Sequence, residues 1–164
     1  MILAALLLAS QAVPQPANLA PFKPFLGSCW RTDFSSTVRD VHCFEAMYGS
    51  AHVRDRHEVQ EGGKTVYAGE TIYSADGPDL VFTYYNSLGG VGQGKVGSTK
   101  KMLGFTGSMR ASPGKPEQAI DSEWRLIDSN HYEVRSLVPA KDGESDKPLV
   151  FRRVSGPNLS ERKR

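Results

Sequence analysis

The sequence predicts one all-β domain, a single closed antiparallel barrel of about ten strands with little or no helix. Three observations lead there. Short runs rich in β-branched and aromatic residues follow one another from Leu26 onward. The 16 glycines and 10 prolines fall mostly between those runs, where turns need them. Nowhere does an apolar stripe of helical period persist for three turns. With 164 residues, 39% hydrophobic and 23% charged, the chain suits one domain with a real core and no room for a second.

Residues 1–12 come first. Ile2 to Leu8 is an uncharged apolar run, and Ser10-Gln11-Ala12 follows with small residues spaced as signal peptidase requires. No Lys or Arg precedes the run, so the segment reads as a signal peptide or as a short hydrophobic arm. It is much shorter than the roughly 20 residues of a membrane span. The expected location is periplasmic or secreted, with no membrane crossing. Pro14, Pro16, Pro21 and Pro24 make residues 13–25 an extended, Pro-rich lead-in.

The barrel domain is expected over 26–155. Its strands lie near 27–34, 38–46, 50–60, 64–74, 79–87, 90–98, 101–110, 118–127, 131–138 and 147–154. Residues 139–147 form the longest polar loop, and 156–164 read as a disordered basic tail. That tail lacks the interleaved aromatics of a stacking surface, and a net charge of +2 is too small to imply nucleic acid.

Three hairpins can be registered on paper, since antiparallel partners have numbers that add to a constant. A turn centred on Ser36 places Cys29 opposite Cys43, Trp30 opposite His42 and Thr32 opposite Asp40. An even cysteine count in an exported chain favours a disulfide, two buried free thiols being the alternative. Closing that loop of roughly 15 residues would contribute up to about 3 kcal/mol.

A turn at Gly62-Gly63, with Val59 facing Val66, sets His57 against Ala68, Asp55 against Glu70 and Val53 against Ile72. Arg54 and Arg56 then share the reverse face with Tyr67, Gly69, Thr71 and Tyr73. Neither face is cleanly apolar, as suits a wall with water or ligand on one side. The loop Asp128-Ser129-Asn130, with Asn suited to the left-handed position, pairs Leu126 with Tyr132 and Trp124 with Val134 on an apolar face. Arg125–Glu133 and Glu123–Arg135 occupy the other face.

Motifs for chemistry are sparse. His42, His52, His57 and His131 form no HExxH and have no cysteine companions at ligand spacing, so no metal is expected. His52 and His57 differ by five and point to opposite faces of a strand. Asp55, His57 and Glu70 can converge as an acid–base cluster, the simpler reading being a hydrogen-bonded polar network. Gly90, Gly92 and Gly94 lack phosphate-loop spacing and fit a bent strand stripped on one side for close approach. Tyr67, Tyr73, Phe82, Tyr84, Tyr85 and Phe105 supply aromatic surface for a core or a cavity wall.

The phrase Phe25-Leu26-Gly27-Ser28-Cys29-Trp30-Arg31 resembles the opening of lipocalin-like barrels, the calycin group. It is most similar to bacterial barrel families of unknown function that begin Phe-Leu-Gly-x-x-Trp. Lipocalins proper have one residue between Gly and Trp, where this chain has Ser28 and Cys29. The ten-stranded haem barrels resembling nitrobindin share the overall pattern, but their ligand motif has no counterpart here. The resemblance implies that Trp30 plugs the barrel floor and that an apolar interior holds a small ligand.

The functional expectation is therefore an exported barrel binding a small apolar or amphipathic molecule, with no cofactor identified. Its expected lining is Asp55, His57, Glu70, Tyr84 and Phe105, with Arg54 and Arg56 if the faces are reversed; Trp30 and Trp124 are structural. One alternative is an acid–base enzyme using the Asp55/His57/Glu70 cluster. The other is a structural or interaction module of the cell envelope, filled by its own side chains.

Overall fold

A computed structural model describes residues 19–139 and 147–154. The expectations for the leader, the first part of the lead-in, the centre of the 139–147 loop and the basic tail fall outside them. Ten strands run β1 (Ser28–Asp33), β2 (Val38–Met47), β3 (His52–Glu61), β4 (Lys64–Asp76), β5 (Asp79–Asn86), β6 (Val91–Ser98), β7 (Met102–Arg110), β8 (Glu117–Leu126), β9 (His131–Ser136) and β10 (Leu149–Val154). Each pairs antiparallel with the next, and β10 closes on β1, giving an all-β closed barrel. Among the described residues, no helix is long and apolar enough to cross a membrane.

The β1–β2 and β8–β9 registers are those expected, with Cys29 opposite Cys43, Trp30 opposite His42, and Trp124 opposite Val134. Cys29 and Cys43 are joined by a disulfide. Asn130 is not left-handed: among described non-glycine residues only Tyr48 and Ser50 have positive φ. The turn is held instead by the Asp128 carboxylate, which accepts from the Asn130 N–H at 2.6 Å and lies 3.0 Å from His131 Nδ1.

The β3–β4 hairpin departs from expectation by one residue. At the turn, Glu61 faces Lys64 and Gln60 faces Thr65, as the constant sum requires. A bulge between Val59 and Gln60 then slips Val66 out of the ladder, 56% exposed, and Val59 faces Tyr67. Beyond it Asp55 faces Thr71, His57 faces Gly69 and Arg56 faces Glu70. One inserted residue thus sorts a strand pair that looked mixed on both faces. Tyr67, Thr71 and Tyr73 join Asp55 and His57 inside, while Glu70 goes outside with Arg54 and Arg56.

The lead-in is not extended throughout. Ala20–Phe22 forms a 3-10 turn with Pro21 in its first positions, where a missing N–H costs nothing. That turn carries Phe22 and Phe25 into one end of the barrel. Phe22 stacks on Tyr73 at 4.3 Å, and Phe25 packs between Trp30, Phe44 and Tyr132. Trp30 is fully buried there, with the Arg153 guanidinium 4.3 Å over its ring and anchored to the Pro24 carbonyl. Phe44, Phe82, Phe105, Tyr132 and Phe151 complete this closed half.

The opposite half is different. By register Tyr67, Tyr84, Met109, Ile120, Ser122 and Val134 all point inward, yet each is only partly buried. That end is therefore less covered than the floor. At Gly94 the close approach is real: a Cβ there would sit 2.7 Å from the Phe82 ring and 2.8 Å from Gly107 Cα. The stripped side of that strand is filled by its neighbours.

Candidate functional site

The period of two in β2 sends Asp40, His42 and Phe44 inward, and in β3 it does the same for Asp55 and His57. Because His42 faces His57 in the ladder, their rings stack, with centroids 4.7 Å apart at 30°. Asp55, 2% exposed, lies 2.8 Å from His42 Nδ1. The other ring nitrogen, Nε2, is 3.2 Å from Asp40 Oδ2. The second Asp40 oxygen is 3.5 Å from His57 Nδ1, and His57 Nε2 is 3.2 Å from the Tyr84 hydroxyl. Tyr84 in turn bonds the Tyr67 hydroxyl. Asp55–His42–Asp40–His57–Tyr84–Tyr67 is therefore one polar chain, rising from the core to the less covered end.

Burial works against a charge on His42, but the Asp55 carboxylate, helped by Asp40, outweighs it and lifts the imidazole pKa to about 10. At neutral pH His42 is a cation donating from both nitrogens. Burial alone would raise Asp40, yet the His42 and His57 imidazoles beside it hold it well below the usual carboxylate range. Burial and the neighbouring Tyr67 push the Tyr84 phenol far above its ordinary value, so it remains a neutral hydroxyl. Gly69 makes this possible, since a Cβ there would lie 2.8 Å from the Tyr84 ring and closer still to His57 Nε2.

Across the interior from this chain stand Met109, Ile120, Val134 and Leu149, from β7 to β10. This half of the interior thus has one polar wall and one apolar wall. Phe105 lies beneath it, packed 4.6 Å from Trp124, and Trp124 also meets Phe44 and Tyr132 as a core residue.

Of the residues expected to line a site, Asp55, His57 and Tyr84 come together in the chain, while Phe105 lies in the core against Tyr73, Phe82 and Trp124. Glu70, Arg54 and Arg56 do not join them. On the outer face Arg54 bonds Glu45 and lies 3.6 Å from Glu70, while Arg56 is 3.7 Å from Glu45. The expected Asp55/His57/Glu70 cluster is corrected by the β3–β4 bulge, which turns Glu70 away. Asp40, His42 and Tyr67 were not among the expected site residues. The first hairpin held the signal for two of them, since it set Asp40 and His42 on the same face as the floor tryptophan.

No family model matches the chain, and no curated protein matches it in sequence. Among solved structures it is similar to the crystal structure of Rv2717c from M. tuberculosis, with a TM-score of 0.51 and 14% identity. The match covers 82% of this chain and 94% of that one. At such identity the likeness is one of barrel fold alone.

Proposed function

We propose that the protein is an exported barrel that binds a small amphipathic molecule in its open half. The observation that carries this is the partial exposure of inward residues in that half, which we read as an open cup, with His57, Tyr67 and Tyr84 on one wall and Ile120, Val134 and Leu149 on the other. Pockets for small molecules combine apolar walls with a few placed polar groups in this way. The polar head would meet the Tyr84–His57 end of the chain, and the apolar body would lie against Ile120 and Val134. Export is supported by the Cys29–Cys43 bridge, which persists in oxidising compartments. Kinship with the calycin barrels is supported by the seat of Trp30 at the closed end. An inert envelope module would be filled from end to end, which the cup disfavours.

Titration with a fluorescent medium-chain fatty acid is expected to saturate at one molecule per chain. Tyr84→Phe should weaken binding about 5-fold through one lost hydrogen bond. Ile120→Lys, at a half-buried wall position, should weaken it at least about 10-fold by placing a charge against the apolar body. Absence of saturable binding, or equal affinity in both variants, would overturn the proposal. The acid–base reading moves from Glu70 to the His57 chain. It requires turnover, which mass spectrometry of a saturated sample would detect as a chemically altered ligand.

A further inference from the structure

We infer that Asp40, His42 and His57 form a binding site for one divalent transition-metal ion of the zinc type, whatever molecule the cup takes. One donor atom from each of the three lies within 4.8 Å of the others. The Asp40 oxygens stand 3.2 Å from His42 Nε2 and 3.5 Å from His57 Nδ1. Zinc bonds of about 2.1 Å in tetrahedral geometry set neighbouring donors roughly 3.4 Å apart, so donors within 4.8 Å of one another need to close by at most about 1.5 Å through side-chain rotation.

Two further observations point to an ion rather than to a plain polar network. Asp40 Oδ1 and His57 Nδ1 are buried yet make no hydrogen bond, although they lie only 3.5 Å from each other. Buried polar atoms of this kind call for an ion or a water. Each imidazole also has its other nitrogen held from behind, His42 Nδ1 by Asp55 and His57 Nε2 by the Tyr84 hydroxyl. That is the outer support that fixes ring orientation in metal-bound histidines. Two imidazoles and one carboxylate suit zinc or copper better than magnesium or calcium.

The spacing rules applied to the sequence predicted no metal because they look for ligands on one segment. Here two adjacent strands supply them, and the ladder between β2 and β3 brings them together. On binding, the ion takes the place of the proton between His42 Nε2 and Asp40, and that proton leaves to solvent. Three protein donors leave a fourth position for water or for a ligand's polar head.

The test uses the oxidised full chain, stripped with chelator and titrated with Zn2+ by calorimetry. One ion per chain is expected. His57→Ala should weaken it by about 100-fold or more, and Asp55→Asn, which only supports His42, by about 10- to 100-fold. His131→Ala, which removes the exposed His131–Asp128 pair, should leave it unchanged. Should His57→Ala fail to fold, Co2+ added to the wild-type chain decides: the ring protons of His42 and His57 must shift, and those of His52 and His131 must not. No saturable Zn2+ binding, undiminished binding in folded His57→Ala, or Co2+ shifts confined to His52 or His131 would each overturn the assignment.

Discussion

Asp55→Asn is expected to lower the stability of the metal-free protein by about 3 kcal/mol near pH 6 and to flatten its alkaline pH dependence. The Asp55 carboxylate is the larger of the two charges that keep His42 protonated, and it is the more deeply buried of the pair. Removing it leaves a buried imidazolium with only Asp40 as a charged partner. His42 titrates near 10 in the fold and near 6.5 as a free side chain. Its contribution is therefore complete below about pH 6.5 and is lost as pH rises through about 10. Asp40 has the opposite sign, because its pKa is depressed from 3.8. Its contribution stands above that value and is lost on acidification. Denaturant titrations should show wild type losing stability from about pH 6.5 to 10, with the Asp55→Asn deficit shrinking over the same interval. A pH-independent deficit would mean that His42 is neutral in the fold.

The second large effect is at the floor. Phe25→Ala should cost about 3–5 kcal/mol, a drop in melting temperature of roughly 10 °C or more. Phe25 is 3% exposed, and its ring touches Trp30, Phe44, Trp124 and Tyr132 at centroid distances of 5.1 to 6.0 Å. Its removal opens a void among rings that the closed strands cannot collapse to fill. Phe34→Ala makes the contrast, since Phe34 is 49% exposed in the β1–β2 turn and should cost under about 1 kcal/mol. Thermal melts of both variants check this. Equal losses would mean that the lead-in merely rests on the barrel.

The fold was legible because its turns and alternation are local. Glycine, Asp, Asn and Ser at the strand ends set the boundaries, and the Asp128–Asn130 loop carried a register that held along β8 and β9. The site was less legible for two physical reasons. A single bulge at Val59/Gln60 reversed the face of Glu70, and nothing in the Gly62-Gly63 turn announces an extra residue four positions on. The chain from Asp55 to Tyr67 also spans four strands of partners, whereas sequence patterns report on one segment or one hairpin. Asp40 and His42 were placed beside the floor tryptophan by the first hairpin, but bringing His57 to them needs the separate β2–β3 pairing. Likewise the 3-10 turn at Ala20–Phe22 depends on tertiary burial of Phe22 and Phe25, which a run of prolines conceals.

Water contact with the inward methyl groups is the most direct gauge of whether half of this barrel stands open. In a methyl-labelled, ligand-free sample, Ile120 and Val134 should show cross-relaxation with water, while Val53 and Leu103 in the closed half, 1% and 3% exposed, should show none. If the methyls of Ile120 and Val134 are as dry as that of Val53, the cup does not exist and the binding proposal falls with it.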